Sequence, residues 1–192
     1  MTQVDRSPAH YSHLLVVDLE ATCWESNEGR VHEMETIEFG AVLLRTAPLS
    51  TVDEFSIYIR PRVHPQLSAF CTKLTGITQA TVDAGIRFEE LGELLRVRLG
   101  DLKSNLAWAS WGEYDRRQLE QDANRWAVPS PLEGIPHFNL KKLFAKNRRI
   151  KGSRPGVSRA LSLVGLTFEG RPHSGADDAR NIARLLPFAI GD

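Results

Sequence analysis

Apolar residues run along this chain in two rhythms. Leu14-Leu15-Val16-Val17 is an unbroken apolar run, the mark of a strand buried on both faces. Ile37 to Leu44, with Phe39, Ala41, Val42 and Leu43 between, predicts a second strand. Phe55-Ser56-Ile57-Tyr58-Ile59 alternates with period two and predicts a third, reached through a hairpin connection around Pro48 to Asp53. The rhythm then changes. Leu67, Phe70, Cys71 and Leu74 share one helical face over 66–74, with Gly76 as the stop. Phe88 to Leu99 fits a further helix, Leu106-Ala107-Trp108-Ala109 a fourth strand, and Glu113 to Trp126 a helix that ends before Pro129. Leu140 to Phe144 and Val157 to Val164 read as short helices, and Ala176 to Leu186 as the last one, stopped near Pro187. Strands come early and helices late, with no internal repeat and no low-complexity linker. That order predicts one mixed-sheet α/β domain over residues 1–192, with its core from about 12 to 187.

Acids interrupt this pattern where apolar residues belong. Asp18 and Glu20 end the first apolar strand, and side chains two apart share a strand face. Both carboxylates therefore project together at the strand's C-terminal end, where open α/β sheets bind ligands. Asp115 falls on the stripe of Leu119, Ala123 and Trp126, and Asp178 on the stripe of Ile182, Leu185 and Ala189. Asp177 falls on the other side and is expected to be solvated. A carboxylate facing an apolar interior is costly unless a cation or hydrogen bonds compensate it. Alone, each of these acids also reads as a helix cap or a salt-bridge partner. As a set they suit hard divalent cations, which prefer clustered carboxylate oxygens, and paired Mg²⁺ ions about 4 Å apart serve phosphoryl transfer. His173 lies in the loop Arg171-Pro172-His173-Ser174, just outside the last helix, with Ser174 as its expected N-cap. It reads either as a surface histidine or as a group that accepts a proton from a metal-bound water.

Composition narrows the picture further. The 192 residues hold 24 Lys+Arg against 24 Asp+Glu, and 42% are hydrophobic. That excludes disorder and a bulk polycation that coats nucleic acid. The charge is unevenly spread, with 8 basic and 14 acidic residues in 1–96 and 16 basic and 10 acidic in 97–192. From Gly134 to Phe168 there is no acid and there are eight bases, Arg148, Arg149 and Lys151 among them. This stretch reads either as a solvated face or as a track for phosphates, which position a strand without reading its sequence. Cys23 and Cys71 form no CxxC pair, so neither a zinc knuckle nor a disulfide framework is expected. Residues 1–13 lack the apolar stretch of a signal peptide, and no run reaches the roughly 18 apolar residues needed to span a bilayer. A cytoplasmic protein with no membrane association is expected.

The motifs resemble a known family. Asp18-x-Glu20 on a first strand, then Tyr114-Asp115, then His173-x4-Asp178 resembles the DEDDh 3′–5′ exonucleases of the ribonuclease-H-like superfamily. Val17-Asp18-Leu19-Glu20-Ala21-Thr22-Cys23, Leu67-Ser68-x-Phe70-Cys71-x-x-Leu74-Thr75-Gly76-Ile77-Thr78-Gln79 and Gly170-Arg171-Pro172-His173-Ser174-Gly175-x-Asp177-Asp178 are similar to one subgroup. It contains eukaryotic exoribonucleases that trim histone-mRNA 3′ ends and degrade small interfering RNA, with bacterial KapD-like relatives. The resemblance spans roughly Ser12 to Pro187.

The resemblance implies an α/β fold with a five-stranded mixed sheet, its second strand antiparallel, flanked by helices. It implies that Asp18, Glu20, Asp115 and Asp178 hold two Mg²⁺ or Mn²⁺ ions and that His173 is the general base. The implied activity removes nucleoside 5′-monophosphates from the 3′ end of single-stranded nucleic acid, RNA preferred. Beside Asp-x-Glu, Ala21 and Thr22 would receive the terminal nucleotide partly through backbone. Phe70 and Tyr114 would contact its base, and Leu74 and Thr75 would complete the pocket. Phe70 also reads as core, because it shares the stripe of Leu67, Cys71 and Leu74. Trp24, Trp108, Trp111 and Trp126 read as core or rim. The eukaryotic relatives have Trp where this chain has Tyr114, which still offers a stacking face but with a different base preference. No extra nucleic-acid-binding domain is expected, so a preference for a structured RNA stem is not implied. A repair or proofreading exonuclease acting on DNA, and an inactive nucleic-acid-binding module, remain the alternative readings.

Overall fold

The computed structural model describes residues 7–26 and 30–191. Its strands are β1 (His13–Ala21), β2 (Thr36–Thr46), β3 (Leu49–Tyr58), β4 (Leu106–Ser110) and β5 (His137–Asn139). Its α-helices are α1 (Ala69–Thr75), α2 (Gln79–Asp83), α3 (Phe88–Leu99), α4 (Tyr114–Trp126), α5 (Leu140–Asn147), α6 (Val157–Leu163), α7 (Gly175–Arg184) and α8 (Leu186–Ile190). The strands form one five-stranded sheet in the order β3-β2-β1-β4-β5. β2 runs antiparallel to β1 and β3, while β4 and β5 run parallel to β1. This is the mixed sheet that the family resemblance implies, and β5, three half-buried residues long, is its short edge. Among the described residues no helix is long and apolar enough to cross a membrane.

The period-two geometry of β1 sorts its side chains between two cores. Leu15, Val17 and Leu19 pack with Leu91 and Leu95 of α3 and Leu119 of α4. Leu14 and Val16 pack on the other face with Phe144 of α5, Leu161 of α6 and Ile182 of α7. Asp18 and Glu20 continue the second series, so they point to the face that α7 covers. A third, smaller core under α1 holds the unpaired thiols Cys23 and Cys71 with Ile37, Ile77 and Val82. Ser68 caps α1 by accepting from Cys71 N at 3.0 Å and ties the helix to the end of β1 by donating to Cys23 O at 2.6 Å.

Four local expectations need correction. The hairpin between β2 and β3 does not occupy Pro48 to Asp53: β3 starts at Leu49, and Leu44 to Thr46 already pair with Leu49 to Thr51. Leu49 and Val52 are 46% and 48% exposed, so no apolar alternation marks them as strand. Pro187 does not stop the last helix; it sits in the first turn of α8, where its missing N–H costs nothing. Ser174 is the N-cap residue of α7, yet its hydroxyl makes no capping bond; Glu38 takes the Gly175 amide instead, at 3.0 Å. Asp177 is not simply solvated: it accepts from Arg171 N at 2.8 Å and pairs with Arg180 at 2.5 Å.

Candidate active site

β1 outruns its parallel neighbour. Its ladder with β4 ends at the pair Val16–Ala109, while β1 continues to Ala21. The sheet therefore splits beyond Val16, at the C-terminal ends of its parallel strands, and the backbone there is open to other partners. Asp115 takes one of them, its Oδ1 accepting from Leu19 N at 3.1 Å. The carboxylate sits in the first turn of α4, where the helix dipole favours negative charge. A second acid anchors that helix: Asp122, 1% exposed, accepts from Thr36 N at 2.9 Å, Thr36 Oγ1 at 2.7 Å and Gln118 Nε2 at 3.0 Å.

α7 supplies the fourth acid of the site, Asp178. Asp18 stands opposite Gly40 in the β1–β2 register, and α7 begins directly on that glycine. A Cβ on Gly40 would lie 2.0 Å from the Gly175 carbonyl carbon. The close approach brings Asp178 to the strand acids, and one ligating oxygen from each of Asp18, Glu20 and Asp178 lies within 4.8 Å of the others. Asp115 lines the same cleft outside this trio. Among the described residues, no Lys or Arg pairs with any of the four.

This crowding without a Lys or Arg partner sets the electrostatics. Burial, followed by repulsion from Asp115, Asp178 and Glu20, holds the Asp18 carboxyl well above the usual carboxylate range. Burial, then Asp178 and Glu38, pushes Glu20 up to about 8. Asp115 rises to about 6 through burial, held back by the Leu19 amide. Burial also raises Asp178, against the backbone N–H of His173. That N–H donates to Asp178 Oδ2 at 2.7 Å and fixes His173 in the left-handed region, at φ 61°, an uncommon conformation for a residue with a side chain. The exposed imidazole stands on the cleft with Pro172.

The cleft has a volume of about 530 Å³. Ala21, Cys23, Met34 and Leu74 line it on the side of α1, and Tyr114, 44% exposed, on the side of α4. Trp111 and Gly156 to Arg159 line it on the side of β4 and α6. The expected pocket is thus brought together in part. Ala21, Leu74 and Tyr114 face the cleft, whereas Thr22 and Thr75 lie buried behind it. Thr22 Oγ1 accepts from Glu35 N at 3.0 Å, and Thr75 Oγ1 donates to Cys71 O at 2.9 Å. Phe70 is 37% exposed, which sets aside its core reading, and it does not line the cleft. Arg171 joins two of the motifs: its guanidinium reaches Lys73 O and Leu74 O at 3.4 and 3.3 Å and fills the space where a Cβ on Gly76 would sit.

The basic stretch is not gathered at the cleft as a whole. Arg148 and Lys151 are exposed and line no part of it, and Arg149 lines a separate groove with Lys146 and Ile190. Arg159 is the member that reaches the cleft. Sequence reasoning assigned no site role to Trp111, Met34 or Glu38. Trp111 carried a signal in its nearness to Tyr114-Asp115; Glu38 and Met34 carried none beyond a strand pattern.

The family model described as Exonuclease (RNase_T) matches residues 15–186. The chain is 36% identical to ERI1 exoribonuclease 2 of Mus musculus over 95% of this chain and 29% of that protein. It is 34% identical to 3′-5′ exoribonuclease 1 of Rattus norvegicus over 96% of this chain and 54% of that protein. It therefore spans about half or less of the length of these mammalian relatives. With 3′-5′ exonuclease Snipper of Drosophila melanogaster it shares 36% identity over 95% of this chain and 70% of that one. The solved nuclease domain of 3′hExo, a DEDDh family member bound to rAMP, superposes with a TM-score of 0.84 at 30% identity, covering 95% of this chain and 92% of that one. A match of this extent, to a family defined by the pattern of acids and histidine found around the cleft, means that the chain belongs to the DEDDh 3′–5′ exonuclease family.

Proposed function

We propose that the chain hydrolyses single-stranded RNA from its 3′ end and releases nucleoside 5′-monophosphates. The observation that carries this reading is the trio of buried Glu20 with half-buried Asp18 and Asp178, with ligating oxygens within 4.8 Å of one another and, among the described residues, no Lys or Arg paired with them. Such a set fits hard divalent cations. Asp18, Glu20 and Asp178, with Asp115 beside them, would hold two Mg²⁺ or Mn²⁺ ions. Bound there, the ions supply a more acidic attacking water and charge stabilisation on the leaving oxygen.

The chain's own groups do the remaining work. His173 stands at the cleft and accepts the proton of the attacking water, its turn held by the bond from its amide to Asp178. Asp115 keeps the end of β1 in place through Leu19. Tyr114 offers a ring at the rim for the terminal base, and stacking of this kind tolerates every base. Ala21 and Leu74 give the apolar side of the nucleotide pocket, with Thr22 and Thr75 supporting it from behind and Phe70 outside the cleft, free to meet the base only beyond its rim. The exoribonuclease names of the mouse and rat relatives support RNA as the substrate.

The test is product analysis on matched RNA and DNA oligonucleotides with Mg²⁺ or Mn²⁺. We expect nucleoside 5′-monophosphates, faster from RNA. Asp18→Asn should abolish turnover, and His173→Ala should lower kcat by roughly 10²-fold or more, as for a lost general base. Full activity in either variant overturns the assigned role, and faster DNA cleavage overturns the RNA reading.

A further inference from the structure

A second depression adjoins the cleft. It has a volume of about 450 Å³ and is lined by Gly112, Glu113, Lys141, Ser153 and Arg154. Both depressions run between the same two stretches of chain, residues 111–115 on one side and 152–159 on the other. At their boundary the Trp111 indole N–H donates to Pro155 O at 2.9 Å. That bond fixes the half-buried Trp111 on the wall of the carboxylate cleft, next along the chain to Gly112 of the second depression.

Charge follows the same line. Arg159 stands in the cleft, and Arg154 and Lys141 stand in the second depression. None of the three makes an ion pair among the described residues. The one acid there, Glu113, is already engaged: it pairs with Arg116 at 3.1 Å and accepts from Asn139 Nδ2 at 2.8 Å. Cations left without partners beside a phosphodiester site are free to bind phosphates.

We propose that this second depression is the subsite for the upstream part of the substrate strand. Arg159 at the edge of the cleft, then Arg154 and Lys141 in the second depression, contact successive phosphates, and Trp111 lies beneath the base that crosses the boundary. The proposal rests on the nuclease reading above. With the terminal nucleotide on the side of Ala21, Leu74 and Tyr114, the strand leaves the cleft on the side of β4 and α6. The route through Arg148 and Arg149 leads elsewhere, since Arg149 belongs to a separate groove beside Ser7 and Ile190.

The test measures binding by fluorescence anisotropy across a salt series in Mg²⁺. The probe is a labelled single-stranded RNA of about 12 nucleotides, within the span of known single-strand sites, with a phosphorothioate at its 3′ linkage to block cleavage. A labelled trinucleotide of the same chemistry is the short control. For the double variant Lys141→Ala, Arg154→Ala, the slope of log Kd against log salt on the long probe should flatten by about 1.4, from two lost contacts at roughly 0.7 each. Trinucleotide binding should be unchanged, and the double variant Arg148→Ala, Arg149→Ala should leave both probes unaffected. An unchanged slope in the first variant, a flattened slope in the second, or a wild-type chain that does not bind the long probe overturns the subsite. A wild-type chain that binds with the expected slopes but releases no monophosphate from unmodified RNA overturns the nuclease reading and leaves the subsite standing.

Discussion

The backbone N–H of Gly175 donates to Glu38 Oε2 across 3.0 Å, joining the first residue of α7 to a carboxylate that is 2% exposed in β2. Ser56 Oγ donates to the other oxygen at 2.5 Å. Glu38 stands opposite Glu20 in the β1–β2 register, so it holds α7 against the strand pair that carries the acids. Glu38→Ala would orphan a buried amide, at a cost of about 1–3 kcal/mol, and would release the helix that presents Asp178. We expect a lower melting temperature and a fall in kcat of more than tenfold. Glu38→Gln still offers an oxygen to Gly175, and it should keep most of the activity. Equal losses in both variants would place the effect in the charge and sink the clamp.

Gly40 and Gly92 should respond to alanine in opposite directions. A Cβ on Gly40 would meet backbone atoms of Gly175 and Ala176 at 2.0 and 2.3 Å, and backbone cannot swing aside as a side-chain tip can. Overpacking costs about 1–3 kcal/mol where a core can adjust, and Gly40→Ala belongs at or above the upper end. At about 2–4 °C per kcal/mol for a chain of this size, a melting temperature lower by roughly 6 °C or more is expected, with activity lost as α7 is pushed from Asp18. Gly92 lies inside α3, and its added Cβ would make an ordinary contact at 3.7 Å with Pro131. Gly92→Ala should therefore stabilise by about 0.5–1 kcal/mol through helix propensity. Thermal denaturation of the two variants beside wild type decides both expectations.

Asp18, Glu20, Asp115 and Asp178 were legible in the sequence because each breaks an apolar period, and a broken period is a one-dimensional signal of a paired or ligating charge. The strands β1 and β2 were legible for the same reason in reverse, through long apolar runs. Glu38 was illegible: its partner is the amide of a residue 137 positions away, and no side-chain pattern records a backbone donor. The wall made by Trp111 with Gly156 to Arg159 depends on which helix returns to which strand end, a matter of topology. β5 covers His137 to Asn139, all half-buried, too short for any period to appear. Its presence came from the family resemblance and from the sheet itself.

His137 should make acid stability measurably steeper. Its ring lies 4.2 Å from the Trp108 ring, and Nε2 is 3.0 Å from Ser110 Oγ. Burial holds the imidazole down to about 4, against about 6.5 in an unfolded chain. Between those values the unfolded chain takes up a proton that the folded one refuses. The contribution is therefore complete above about pH 6.5 and is lost as pH falls toward 4. His137→Phe removes this titration, and Ser110 Oγ keeps Gly112 O at 3.2 Å. The advantage of wild type over the variant in melting temperature should shrink between about pH 7 and pH 4.5. A constant gap across that range would mean that His137 is not held neutral by the fold.

The acidic cluster has the opposite sign. Glu20 is raised to about 8 and Asp115 to about 6, and Asp18 and Asp178 are raised as well, while an unfolded carboxylate ionises near 4. As pH climbs from about 4 to 8, the unfolded chain gives up protons that the folded chain retains, so the metal-free protein loses stability across that window. A divalent cation bound by Asp18, Glu20 and Asp178 removes the repulsion, but it must displace the retained protons, so its affinity rises with pH. At an ion concentration of about 100 times Kd the gain is about 2.7 kcal/mol, or roughly 5–10 °C for a chain of this size. The rise in melting temperature on adding Mg²⁺ or Mn²⁺ should thus be larger at about pH 8 than at about pH 5.5, and Asp18→Asn should reduce it at both. In metal-free protein the same substitution removes one of the crowded charges, so the variant should melt above wild type at the higher pH. An ion-induced shift that is equal at the two pH values, or that survives Asp18→Asn in full, would show that the cation binds outside this cluster.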